Sequence, residues 1–130
     1  MEKVTQFSIA LENVPGQLGR LCRVMFQGDV NIRAISISDA ADVSVIRVIA
    51  SNAKAAKKTL REAGLPFVTQ EVVVIELADQ PGALEHVAVR LGEADINLQY
   101  VYGSTDTGSR KAILVLGVTD VDRAIQALAD

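Results

Sequence analysis

The chain has 130 residues, a mass of 13.9 kDa and a formal charge of -3 from 13 basic and 16 acidic residues. Hydrophobic residues make up 49% and charged residues 22%, which excludes disorder as the main state and fits one compact domain or two very small ones sharing a core. No apolar run approaches the roughly 18–20 residues of a membrane span, no secretory leader pattern opens the chain, and the acidic balance disfavours nucleic acid.

In chain order, a first strand is expected over about Val4 to Leu11, with Phe7, Ile9 and Leu11 on one face. The turn Asn13-Val14-Pro15-Gly16 leads into a helix from about Gln17 to Gln27. Its apolar stripe is Leu18, Leu21, Cys22, Met25 and Phe26, and Gly28 and Asp29 end it. An Ile-rich strand over about Asn31 to Ser38, a turn at Asp39 to Asp42 and a β-branched strand over Val43 to Ala50 follow. Ser51 or Asn52 caps the next helix, which runs to about Ala63 and stops at Gly64 and Pro66.

The same order then recurs. Phe67 to Leu77 is one long strand, and a helix carries Leu84, Val87, Ala88 and Leu91 on one face. Strands are expected over about Asn97 to Tyr102 and Lys111 to Val118, and Asp120 caps a last helix ending near Asp130. Pro15-Gly16 aligns with Pro81-Gly82 at an offset of 66 residues, with Leu18 on Leu84, Asp29 on Asp95 and Asn31 on Asn97. Further on the offset is 68, and the two extra residues lie in the loop Ser104-Thr105-Asp106-Thr107-Gly108-Ser109. The halves, residues 1–68 and 69–130, are therefore two α+β repeats with antiparallel sheets related by a pseudo-two-fold. The strand at Phe67 to Leu77 can close the first repeat and open the second, and residues near Met1 to Gln6 can supply the edge that the second repeat lacks. Sharing edge strands in this way predicts that neither half folds alone.

A Pro-Gly turn before a helix exposes unpaired N–H groups and the positive end of the helix dipole, a place for an anion. One such turn by itself only shapes the start of the helix. Two in register, each followed by an Asn at the start of the next strand, point to binding. Asn31 and Asn97 each offer two donors and one acceptor, which suit both ends of an amino acid or a local backbone partner. Asn13 and Asp79 are equivalent in position but not in chemistry: Asn13 can donate to a carboxylate, and an ionised Asp79 repels one. The two sites are expected to be unequal.

The segments ENVPGQLGRLCRVMFQGDVNIRAISI and ADQPGALEHVAVRLGEADINLQYVY both resemble the ACT domain, a small regulatory amino-acid-binding module. The resemblance covers the whole chain as a stand-alone tandem pair. It implies ferredoxin-like βαββαβ repeats with sheets joining side by side, and a free amino acid bound between two such domains. Carried over by position, it implies Asn13, Val14, Gly16, Gln17, Leu18 and Asn31 as ligand-binding residues of the first repeat. Asp79, Gly82, Ala83, Leu84 and Asn97 match in the second. Members of the family are usually fused to or associated with an enzyme, so a separate metabolic enzyme is the expected partner, together with a second copy in a homodimer. Tyr100 and Tyr102 are read as packing residues on a sheet face.

No catalytic residue is expected. His86 has no nucleophile or acid beside it in the sequence, and Cys22, on the apolar stripe, is expected to be buried and inert. No Cys/His cluster offers a metal site, no cofactor is implied, and one cysteine fits the reducing cytoplasm. The alternatives are an obligate small subunit resembling the regulatory chain of acetohydroxyacid synthase, whose role is assembly, and a small enzyme.

Overall fold

A computed structural model of the chain describes residues 1–106 and 108–129. Thr107, in the loop that holds the two-residue insertion, and Asp130, the expected end of the last helix, lie outside the described residues. Six strands and four helices follow one another as β1 Glu2–Glu12, α1 Gln17–Gln27, β2 Ile32–Ala40, β3 Val43–Ala50, α2 Ala53–Glu62, β4 Phe67–Ala78, α3 Ala83–Glu93, β5 Leu98–Asp106, β6 Lys111–Val118 and α4 Val121–Leu128. Among the described residues no helix is long and apolar enough to cross a membrane.

Two compact units divide the chain. The first comprises Thr5–Gln70 and the second Glu71–Asp130 together with Met1–Val4. The first unit therefore reads βαββαβ, closed by the opening of β4, with strand order β2-β3-β1-β4. The second opens on the remainder of β4 and takes its last strand from the start of β1, with order β1-β4-β6-β5. Each unit is ferredoxin-like. β3 is antiparallel to both β1 and β2, and β6 to both β4 and β5.

The first core forms because β1 turns Phe7, Ile9 and Leu11 to the face where β3 presents Ile46 and Val48. Leu21 and Met25 of α1 and Ala56 and Leu60 of α2 cover that face, and all of these side chains are buried. Phe67 packs edge-on against Phe7, with ring centroids 5.4 Å apart and planes at 65°, and the Arg61 guanidinium lies 5.8 Å from the Phe67 centroid. The second core repeats the plan with Val73, Ile75, Leu116 and Val118 under Val87, Leu91 and Ala124. In this unit Lys3 Nζ lies 3.3 Å from Asp122 Oδ1 and 3.6 Å from Glu71 Oε2. The hydrogen bond and charge of Asp122, then the charge of Glu71, raise the Lys3 pKa above its ordinary 10.5. Any stability from this pair is present below pH 10.5 and is lost as pH rises through the raised value. All three side chains are exposed, so salt screens the interaction.

Three sequence expectations change in the fold. Cys22 is exposed rather than buried, because the apolar stripe of α1 is wider than its core-facing side. Leu21 and Met25 fill the core, while Leu18, Cys22 and Phe26 stand one residue, or about 100°, around the helix. β2 and β5 also run on to Ala40 and Asp106, beyond their expected ends at Ser38 and Tyr102. The hairpin pairing with β3 and β6 extends them through polar residues that have no core to face.

The repeats also exchange a large residue for a small one across a strand pair. In the first unit Ala34 stands opposite Ile49; in the second Tyr100 stands opposite Gly117. A Cβ built on Gly117 would fall inside the Tyr100 ring, so the glycine is what lets this half-buried tyrosine lie on the sheet. Gly117→Ala is expected to lower stability by about 1–3 kcal/mol. The same change made in Tyr100→Ala should cost much less, and equal costs in the two backgrounds, by chemical denaturation, would refute the coupling. Deleting Met1–Val4 should speed amide exchange along Glu71–Ala78 and leave the β2–β3 hairpin protected, as read by mass spectrometry. A fragment of residues 1–66 lacks Phe67 and is expected to show no cooperative unfolding transition.

Candidate functional site

Both Pro-Gly turns have one backbone solution. Gly16 and Gly82 occupy the left-handed region, with φ of 92° and 89°, which a residue bearing a Cβ adopts only under strain. Each is the N-cap of the helix that follows, and no side chain caps either α1 or α3. The other two helices differ. Asn52 accepts from the Ala55 amide at 3.0 Å to cap α2, and Asp120 accepts from the Arg123 amide at 3.1 Å to cap α4. The helix starts without a side-chain cap are therefore the two behind the turns that the sequence marks, and at α3 the Ala83 amide donates to Gln80 O at 3.3 Å. Val14, Leu18 and Leu84 are exposed there, Ala83 is half-buried, and Gln17 Oε1 is buried with no hydrogen-bond partner among the described residues.

The helix ends are equally alike. Asp29 and Asp95 both have φ of 57°, and the amide after each reaches back to the helix: Val30 N donates to Met25 O, and Ile96 N to Leu91 O, both at 2.9 Å. This left-handed cap turns the chain back toward the sheet. Asn31 then pairs by backbone with Ser51, donating to Ser51 Oγ at 3.1 Å and accepting from Ser51 N at 2.8 Å. The side-chain amides of Asn31 and Asn97 are exposed and make no hydrogen bond among the described residues. An open hollow of about 250 Å³ lies beside Asn31, lined also by Phe26, Asp29, Val30 and Ser51.

Asn13 behaves differently. Its Nδ2 donates to Asp39 Oδ1 at 2.7 Å and to Ala41 O at 3.0 Å, and its Oδ1 accepts from Ser44 Oγ at 3.1 Å. The donors are thus committed to the end of β2 and to the two-residue turn that follows it, where Ala41 is held at φ 61°. A left-handed alanine is unfavourable, and the Asn13 amide fixes it. At the equivalent place Asp79 N donates to Arg110 O at 2.9 Å, as Asn13 N does to Asp42 O. The Asp79 carboxylate is exposed and has no partner among the described residues. The longer β5–β6 turn holds itself instead: Asp106 Oδ1 accepts from Gly108 N at 3.0 Å and Asp106 O from Arg110 N at 3.1 Å. The Asn-to-Asp difference between the repeats follows from the two hairpins.

Within a unit the expected site residues fall into two groups. Asn13 to Leu18 sit where β1 ends, beside the β2–β3 turn, and Asn31 sits where β2 begins. The nine residues of β2 separate them, about 30 Å at roughly 3.3 Å per residue. The second unit divides in the same way, with Asp79 to Leu84 at one end of β5 and Asn97 at the other. The sequence reading missed Phe26 and Ser51 beside Asn31. The apolar stripe includes Phe26, and its position one residue past Met25 is the signal that sets it apart from the core. Among the described residues no group of His, Cys, Asp and Glu gathers as a metal site.

Known proteins place this geometry. A structure of protein BT0572 from Bacteroides thetaiotaomicron matches with a TM-score of 0.91 and 28% identity, over 98% of this chain and 87% of that one. The ligand-free regulatory subunit of aspartate kinase from Thermus thermophilus shares the fold, with a TM-score of 0.68 and 10% identity over 99% of this chain and 92% of that one. No curated protein matches the sequence. The family model described as an ACT domain pair matches residues 2–129, and the chain belongs to that family.

Proposed function

We propose that the chain is a regulatory protein that binds a free amino acid and acts on a separate enzyme in trans. The observation that carries this reading is the contrast among the helix starts: α2 and α4 are capped by side chains, and α1 and α3, behind their Pro-Gly turns, are not. The N–H groups of Gly16, Gln17 and Leu18 would receive a carboxylate there, with the exposed Val14, whose own amide donates to Glu12 O at 2.9 Å, beside it. The unpartnered Gln17 Oε1 is an acceptor for an ammonium group. Asn31, whose side-chain amide has no hydrogen-bond partner among the described residues, would complete the contact from a neighbouring domain, since it lies a strand length from the turn of its own unit. Gly82, Ala83, Leu84 and Asn97 supply the second site, where the exposed Asp79 carboxylate weakens carboxylate binding. A ligand that bridges two copies would favour the dimer by its differential affinity and so alter a surface that an enzyme reads.

A thermal-shift screen of the full chain against the twenty amino acids, followed by calorimetry, tests this. One or two ligands should raise the midpoint. Asn31→Ala should keep the unliganded midpoint and weaken binding by about 1–3 kcal/mol, since a charged ligand group loses its partner. Asn13→Ala should lower the unliganded midpoint, because it frees the Ala41 turn. No shift with any amino acid would overturn the reading and favour the assembly subunit, which should then co-purify with a larger chain.

A further inference from the structure

We propose that the basic side of α2 and the hollow at its C-terminal end dock a short acidic segment of another protein, with one apolar side chain of that segment entering the hollow. This rests on the reading that the chain acts on a separate protein, and it needs no amino-acid ligand.

Four bases lie together on α2. Lys54, Lys57, Lys58 and Arg61 are spaced three and four residues apart, so they form one continuous patch. Lys54, Lys58 and Arg61 are exposed, and Lys57 is half-buried. None of the four makes an ion pair among the described residues. The one acid of the helix, Glu62, makes none either, and it lines the hollow shared with Val24 and Gln27 of α1.

This arrangement works against the helix. Lys54 with Lys58 and Lys57 with Arg61 are like charges four residues apart. Lys54 also stands in the first turn, where the helix dipole opposes a cation and no acid offsets it. The fold does not require it. At the offset of 68, α4 covers its own core with Asp122, Ile125 and Gln126 in place of the three lysines. A local conflict that the fold does not need marks a surface kept for a partner.

The hollow adds an apolar anchor point to the charges. It is open, holds about 420 Å³, and is lined by Arg61, Gly64, Leu65, Pro66 and Phe67, so Arg61 belongs to both the hollow and the basic row. Charge selects the occupant. Thr5–Gln70 holds eight basic and five acidic residues, net +3, and Met1–Val4 with Glu71–Asp130 holds five basic and eleven acidic, net -6. A carboxylate-rich segment is therefore drawn to the first unit, and within it to α2. Nucleic acid fits less well. Phe67, the one aromatic residue lining the hollow, already carries the Arg61 guanidinium over its ring, so it offers no ready platform for a base.

Fluorescence anisotropy of a short labelled peptide, one leucine flanked by aspartates and glutamates, tests the site on the full chain. Saturable binding is expected at about 20 mM salt, with Kd rising at least about tenfold by about 0.5 M. Exchanging the peptide's leucine for serine should weaken binding about tenfold, because the hollow then buries no apolar side chain. Lys54→Glu should weaken it at least about fivefold and raise the thermal midpoint of the free chain, since α2 gains an acid in its first turn and a partner for Lys58. No saturable binding, equal affinity for the two peptides, or tighter binding of a single-stranded oligonucleotide of equal charge would each overturn the proposal. So would a Lys54→Glu chain that binds the peptide as the wild type does, the result expected of a merely solvated face. The peptide is titrated without amino acid, so failure here leaves the thermal-shift result, and the regulatory reading it tests, untouched.

Discussion

A four-stranded βαββαβ unit needs a fourth strand beside its first, and in this chain that need is met by strands that serve twice. β1 and β4 are 11 and 12 residues long, about twice a common strand. Each gives one stretch to one compact unit and its remainder to the other. Phe67 is placed against Phe7 in this way, and Lys3 beside Glu71 and Asp122. Both Pro-Gly turns follow directly on those two strands. An unpaired edge would also leave a row of backbone donors and acceptors open to the wrong neighbour.

The repeats have kept their punctuation and changed what surrounds it. Gly16 and Gly82 share one backbone conformation, as do Asp29 and Asp95. These positions direct the chain at both ends of α1 and α3, so a change there would move the helix. Side chains that only had to fill space or hold a turn have diverged in compensating pairs. Ala34 with Ile49 became Tyr100 with Gly117, and the Asn13 clasp on a tight turn gave way to a longer turn braced by Asp106. The result is a pair of like frames with unlike chemistry at the Asn13 and Asp79 positions.

Capping makes the division of labour visible. Asn52 and Asp120 satisfy the starts of α2 and α4 locally, a contribution of about 1 kcal/mol each. The starts of α1 and α3 forgo that contribution at their glycine turns, where no side chain caps the helix. Local stability is thereby given up at the two turns proposed to bind the ligand. Net charge is divided just as unevenly, and it sets the units apart as surfaces although their cores are built alike.

Much of this was legible in the residues. α1, β3 and β6 have the expected bounds, because Pro-Gly, Gly-Asp and the β-branched runs act over a few residues. The Asp120 cap was also read correctly, and Asn52 rather than Ser51 caps α2, since Ser51 is paired with Asn31. The repeat offset and the motif pair were enough to identify the family, and the charge of each residue was in plain view. Burial was not. Leu18, Cys22 and Phe26 also belong to the apolar stripe of α1, and only packing in the tertiary structure decided that Leu21 and Met25 would be the ones covered. Nor could sequence tell that Asn13 spends its amide on Ala41 while Asn31 spends none, or that a whole strand lies between them. Hydrogen-bond partners from distant segments are chosen by register and strand direction. Sequence by itself therefore determined the elements, their order and their motifs, which depend on neighbours along the chain. The tertiary structure alone decided which side chains remain free to act, because that depends on neighbours in space.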